Sequence, residues 1–115
     1  MIQIYHNPRC GKSREGLALV EQSGKPFEVI LYLKDTPTLE ELEVLVSKLQ
    51  VAPIDLIRQK EKIWVEAFKG KSYSDKELLE IMVSHPILIE RPIVVNNNKA
   101  VIGRPPSTII DCIWI

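Results

Sequence analysis

The order of apolar runs and chain breaks predicts a mixed α/β fold: a strand–helix–strand start, a helical middle and a strand–strand–helix finish. Three observations carry that expectation. Ile2–Tyr5 and Phe27–Leu31 are short runs rich in β-branched and aromatic residues, and they flank a helical stretch. Thr38-Leu-Glu-Glu41 and Ser74-Asp-Lys-Glu77 are capping boxes, each opening an apolar segment. Pro92–Val95 and Lys99–Ile102 flank Asn96-Asn-Asn98 in the pattern of a hairpin.

In chain order, Asn7-Pro8 ends the first strand and a helix begins at Gly11. Leu17, Val20 and Glu21 space as one face of it, and Gly24 stops it. The first capping box leads into Leu42, Leu45, Val46 and Leu49, the second into Leu78, Leu79, Ile81 and Met82. Between them, 53–71 reads as short helical pieces and loops. After the hairpin, Ser107 starts a terminal helix. A β-α-β start implies a parallel pair joined by a crossover, and the hairpin adds antiparallel strands to the same sheet. That is the outline of a thioredoxin-like fold with a central helical insertion. One domain is expected over 1–115, with the insert at about 38–85.

Bulk properties narrow the class. The chain of 115 residues is 45% hydrophobic and 26% charged, which excludes a mainly disordered protein. Fifteen basic residues balance fifteen acidic ones, so global charge gives no reason to expect direct nucleic-acid binding. The first residues lack the basic-then-apolar pattern of a signal peptide, and no apolar run approaches bilayer length. The expectation is a cytoplasmic monomer that binds no membrane. Its two cysteines, Cys10 and Cys112, would stay reduced rather than form a disulfide framework.

The chemistry concentrates in Tyr5-His-Asn-Pro-Arg-Cys-Gly-Lys-Ser-Arg14. Strand, turn, Cys10, helix puts the thiol at a helix N-terminus, where free N–H groups and the dipole favour a thiolate. His6, Arg9, Lys12 and Arg14 add candidate positive charge, so Cys10 reads as a reactive cysteine rather than a small buried hydrophobe. Cys10-Gly-Lys-Ser13 is C-x-x-S, which disfavours a self-contained dithiol oxidoreductase. A phosphatase loop, Cys-x5-Arg, would need arginine where Gly16 stands. An oxyanion would therefore be held by distant arginines, and Arg58, Arg91 and Arg104 are the candidates. Arg91 precedes Pro92 at a strand start, where a cis bond would bring it toward Cys10. Arg104 lies in the rigid Gly103-Arg-Pro-Pro106 loop. His6 is expected to support the thiolate. The two His and two Cys lack zinc-site spacing, so no metal is expected. Cys112, among Ile109, Ile110, Ile113 and Trp114, reads as core.

These pieces resemble the glutaredoxin-coupled arsenate reductase family and its thioredoxin-like relatives, which include the Spx transcription regulators. The matching stretches are I-Y-H-N-P-x-C-G-x-S-R from Ile4 to Arg14, L-I-R at Arg58, R-P-I-V-V at Arg91–Val95 and G-R-P-P at Gly103–Pro106. The resemblance implies that Cys10 attacks arsenate, that Arg58, Arg91 and Arg104 hold the oxyanion, and that His6 aids thiolate formation. It implies glutathione as co-substrate and glutaredoxin as partner, with no bound cofactor. Two other readings remain: an Spx-type regulator that binds RNA polymerase, and a related thiol oxidoreductase acting on another substrate. The redox-switch version of the former expects C-x-x-C, which Ser13 removes.

Overall fold

The computed structural model describes residues 1–114. The chain divides into two compact units, 1–35 with 91–115, and 36–90. The first unit holds four strands, β1 (Ile2–Tyr5), β2 (Phe27–Ile30), β3 (Ile93–Asn96) and β4 (Lys99–Ile102). Helix α1 (Gly11–Gln22) links β1 to β2. The second unit contains α2 (Leu39–Leu49), α3 (Lys62–Ala67) and α4 (Asp75–Ser84). Helix α5 (Ser107–Ile113) closes the first unit.

The sheet order is β2-β1-β3-β4. β1 and β2 are parallel, whereas β3 runs antiparallel to both β1 and β4. The two central strands are almost entirely buried, which explains why Ile93–Val95 reads as an unbroken apolar run and Ile2–Tyr5 as an apolar run broken only by the half-buried Gln3. The hairpin turns through Asn97 at φ 57°, a left-handed conformation that asparagine tolerates well. Ile2, Ile4, Val20, Val94, Ile109, Cys112 and Ile113 form the core of this unit, with α1 and α5 packed side by side. The last carbonyls of α5 are capped from outside the helix: Asn96 Nδ2 donates to Cys112 O at 3.0 Å and Lys25 Nζ to Ile113 O at 2.9 Å.

In the second unit both capping boxes form as their residue types dictate. Thr38 Oγ1 accepts from Glu41 N, and Ser74 Oγ accepts from Glu77 N; each glutamate reaches back to the cap N–H. Leu42 and Leu45 of α2 and Leu78, Leu79 and Met82 of α4 are buried where these helices pack together. The 53–71 segment is a 3-10 turn at Pro53–Leu56 followed by the short α3.

Helix α1 departs in part from the expected face. Val20 is buried as expected and Leu17 packs against the core, but Glu21 is exposed and the other buried positions are Ser13 and Gly16. Two of the three buried positions are small, so hydrophobicity alone marks only part of the inward stripe. Gly16 faces inward because space is lacking: a Cβ there would come within 2.7 Å of Pro92 Cγ and 2.8 Å of Ile109 Cδ1. The position a phosphatase loop would fill with arginine is thus a close contact in the interior. Gly16→Ala is expected to destabilise the fold by about 1–3 kcal/mol through overpacking against the rigid proline ring. A denaturant midpoint equal to that of the parent, with unchanged slope, would contradict this contact.

Candidate active site

The sheet register brings three separate segments together. Tyr5 pairs with Ile93, and Ile93 with Ile102. The chain leaving β1, the chain entering β3 and the chain leaving β4 therefore meet at one end of the sheet. They carry His6–Cys10, Arg91-Pro92 and Gly103-Arg104. Gly103 N donates to Pro92 O at 2.8 Å, which extends the ladder into the loops. The Arg91–Pro92 bond is cis, as the sequence suggested, and Arg104–Pro105 is cis as well.

Cys10 is the N-cap of α1, with extended φ and ψ of −95° and 123°. Its own N–H donates to Asn7 O at 3.0 Å, and its carbonyl accepts from Arg14 N at 3.0 Å. Arg104 Nη2 lies 3.4 Å from Cys10 Sγ, and the Arg91 guanidinium also hydrogen-bonds the sulfur. Arg104 is held in turn by Nε donating to Arg91 O at 2.9 Å. Partial burial pushes the Cys10 thiol up. The N–H of Ser13, the Arg91 guanidinium and the N–H of Lys12 outweigh that, so the net shift is downward. Neither N–H closes a full capping bond on the sulfur; they act at longer reach. The side chains of Arg9, Lys12 and Arg14, counted from sequence as thiolate support, are not among the causes of the shift.

Beneath the thiol loop lies a buried polar brace that sequence reasoning did not single out. Ser13 is fully buried, and its Oγ accepts from Asn7 N at 2.9 Å while lying 2.6 Å from His6 Nδ1. Asn7 Oδ1 accepts from Arg9 N at 3.0 Å. Burial pushes His6 below its ordinary pKa, against a smaller upward effect of Ser13, so the imidazole is neutral at pH 7. In the tautomer protonated at Nε2, Nδ1 can accept the Ser13 hydroxyl proton while the Ser13 oxygen accepts from Asn7 N. His6 is therefore tied to Ser13 as a neutral prop of the loop rather than a cation beside the sulfur. The only cue in the sequence was the spacing of His6, Asn7 and Ser13 around Cys10.

Arg58 belongs to the second unit. Its backbone N–H donates to Leu88 O at 2.7 Å, beside an Ile57–Ile89 bridge. Its guanidinium is ion-paired, Nε with Glu61 at 3.2 Å and Nη1 with Glu90 at 3.5 Å. Cys112 is fully buried in the core, and burial pushes its thiol up. Among the described residues no cluster of His, Cys, Asp or Glu could hold a metal ion, and no helix is long and apolar enough to cross a membrane.

The fold is thioredoxin-like, with a cysteine capping the first helix and a cis-proline loop beside it. The chain belongs to the ArsC family, whose model matches residues 5–112. It is 43% identical to the Escherichia coli K12 protein YfgD, covering 97% of this chain and 96% of that one. It is 41% identical to an arsenate reductase of Neisseria meningitidis, covering 94% of each. A solved structure of an arsenate reductase from Vibrio cholerae is 45% identical and superposes with a TM-score of 0.91 over 96% of both chains.

Two outcomes follow from the geometry. Alkylation of Cys10 is expected to rise with pH at a midpoint below 9.0, the ordinary thiol value, whereas a midpoint at or above it would mean that the guanidinium groups and helix N–H groups do not act on the sulfur. For His6 the unfolded imidazole takes up a proton near 6.5, while the folded one resists until lower pH. The unfolded state then binds more protons in that window, so stability falls as pH drops below about 6.5. His6→Asn, whose amide oxygen can stand in for Nδ1, is expected to flatten this part of the stability curve. An unchanged slope in chemical denaturation at pH 7 and pH 5 would place the acid sensitivity elsewhere.

Proposed function

We propose that the protein reduces arsenate to arsenite in the cytoplasm, with Cys10 as its single nucleophile, glutathione as co-substrate and glutaredoxin as the resolving partner. The observation that carries this reading is the meeting of a thiol of lowered pKa with two guanidinium groups, Arg91 and Arg104, at one helix N-terminus. A thiolate and an arsenate are both anions, and their approach requires fixed positive charge at the sulfur. Guanidinium meets that need with forked donors and a charge that persists at any working pH. The arsenate reductases among the relatives support the choice of oxyanion.

In this reading the Cys10 thiolate attacks arsenic, and hydroxide or water leaves as the S–As bond forms. Glutathione attacks the adduct. Glutaredoxin then resolves the mixed species, so that two electrons pass from two thiols to arsenic. Arsenate and two thiols yield arsenite, one disulfide and water, and Cys10 returns to its thiol form. Arg91 and Arg104 hold the oxyanion. His6 acts through Ser13 by keeping the loop in shape. Arg58 is the third oxyanion ligand that the family resemblance implies, and to serve it would exchange Glu61 and Glu90 for the substrate. Cys112, sequestered in the core, takes no part.

Arsenite production with arsenate, glutathione and glutaredoxin is the test, against Cys10→Ser as background. Arg91→Ala and Arg104→Ala are each expected to lower kcat/KM by the equivalent of about 2–4 kcal/mol, and Arg91→Lys by less, since lysine keeps the charge and loses the fork. No arsenite above the Cys10→Ser background would end the arsenate reading. Alanine variants within a few-fold of the parent would mean that the oxyanion is held elsewhere.

A further inference from the structure

The cations of the thiol loop are left over once the thiol itself is explained. Arg9, Lys12 and Arg14 flank Cys10 in sequence and are all exposed. Arg9 makes no side-chain hydrogen bond or ion pair with another described residue. Lys12 makes only an exposed 3.6 Å contact with Glu15. Arg14 Nη1 donates to Pro8 O at 2.9 Å, which draws its guanidinium across the face of the loop, and its Nη2 would stand 3.8 Å from a Cβ on Gly11. From Met1 to Arg14 there is no acidic residue.

The zero net charge of the whole chain conceals a division. The unit that carries Cys10 has eight basic against five acidic residues, a formal +3; the unit 36–90 has seven against ten, a formal −3. Five of the eight cations, Arg9, Lys12, Arg14, Arg91 and Arg104, lie in the loop, the first turn of α1 and the two segments that meet at the thiol. Arg91 and Arg104 attend the sulfur. The other three make an outward-facing rim that the thiol chemistry does not use.

We infer that Arg9, Lys12 and Arg14 form a recognition rim for the carboxylates of an anionic thiol co-substrate, so that the protein selects glutathione over neutral or cationic thiols at Cys10. This rests on the proposed use of glutathione and names the residues that would enforce it. Glutathione carries two carboxylates and one ammonium, so its reactive thiolate form is a dianion. Such a molecule meets a surface at the thiol loop on which Arg9, Lys12 and Arg14 outnumber the single nearby carboxylate, Glu15, and that net positive charge raises its local concentration and its rate of encounter. Exposed cations suit this task, because each attraction is modest and a product must leave again. Arg14 is the best placed of the three: its bond to Pro8 O orients the guanidinium, so less freedom is lost when a carboxylate binds.

The test is independent of arsenate. Cys10 in the full chain is converted to its mixed disulfide with 4-thiopyridine, a neutral leaving group whose release is read by absorbance, while Cys112 is protected by burial. Release is timed with glutathione, 2-mercaptoethanol and cysteamine, each rate corrected for its thiolate fraction. The glutathione-to-cysteamine rate ratio is expected to fall roughly three- to tenfold in Arg9→Glu and in Arg14→Glu, and to fall with added salt in the parent. Arg14→Gln separates loss of charge from loss of the brace to Pro8, and is expected to give an intermediate ratio with an unchanged 2-mercaptoethanol rate. A ratio that is the same in parent and variants and indifferent to salt would overturn the inference. So would variants that slow all three thiols equally, since that marks loop damage rather than recognition. Failure of arsenite production in the parent, with the thiol ratio intact, would remove the arsenate reading and leave the rim standing.

Discussion

Pro92 lies where it does because positions 16 and 103 carry no side chain. A Cβ on either glycine would meet the proline ring and Ile109 Cδ1 at 2.8 Å or less. Through this contact α1, the loop into β3, the loop out of β4 and α5 are held against one another. The pairing of Tyr5 with Ile93 and of Ile93 with Ile102 sets which residues emerge at that end of the sheet. The glycine–proline contact sets how close they come. Arg91 is the residue before that proline, and Arg104 the one after the second glycine. The two guanidinium groups thus owe their place at Cys10 to tight apolar packing a residue away, and the polar chemistry needs no long-range ion pairs to assemble it.

The charges at the site are graded by depth. Below the loop, where a cation would cost the most, the brace is neutral: a neutral imidazole, a hydroxyl and an amide satisfy one another. At the level of the sulfur sit two guanidinium groups, that of the buried Arg91, whose desolvation the thiolate offsets, and that of the exposed Arg104. At the rim Arg9, Lys12 and Arg14 are exposed. A protonated His6 would disturb this order, because its Nδ1 could then only donate, and the buried Ser13 hydroxyl proton would lose that nitrogen as an acceptor. Burial keeps His6 neutral, and so keeps the loop that presents Cys10 in one conformation near neutral pH.

Most of the fold was legible because each element obeys a local rule. The two S/T-x-x-E boxes start α2 and α4, the asparagine run turns the hairpin, and the central strands show as short, mostly apolar runs. Cys10 was legible for the same reason, since strand–turn–helix places a thiol at a helix N-terminus. What was hidden depends on packing between distant segments. The inward face of α1 runs through Ser13 and Gly16, which no hydrophobic pattern marks, because Ser13 is buried for its hydrogen bonds and Gly16 for its lack of a side chain. The split of a neutral chain into a basic and an acidic unit was hidden too, since the basic unit is assembled from both ends of the sequence. The ion pairs of Arg58, which the sequence offered as a candidate oxyanion ligand, were hidden as well: Glu61 lies one turn on and Glu90 thirty-two residues away, and both carboxylates engage it.

Ser13 also explains why the loop holds one thiol rather than two. Read as C-x-x-S, the motif invites the view that a second cysteine has been lost. The hydroxyl is instead in full use: it accepts from Asn7 N and meets His6 Nδ1, both inside the protein. A thiol there would be a weak donor and a weak acceptor with a longer reach, and it would leave the Asn7 N–H and the imidazole nitrogen poorly satisfied. A disulfide from position 13 to Cys10 would remove the brace altogether. The only other thiol, Cys112, is held in the core with a raised pKa. The hydrogen bonds of the loop therefore favour a single thiol at the helix N-terminus, and in the proposed two-electron reaction the second thiol would come from solution. On the inference drawn above, the outward-facing cations of the loop would then serve a purpose that Arg91 and Arg104 at the sulfur do not: they would govern which thiol arrives.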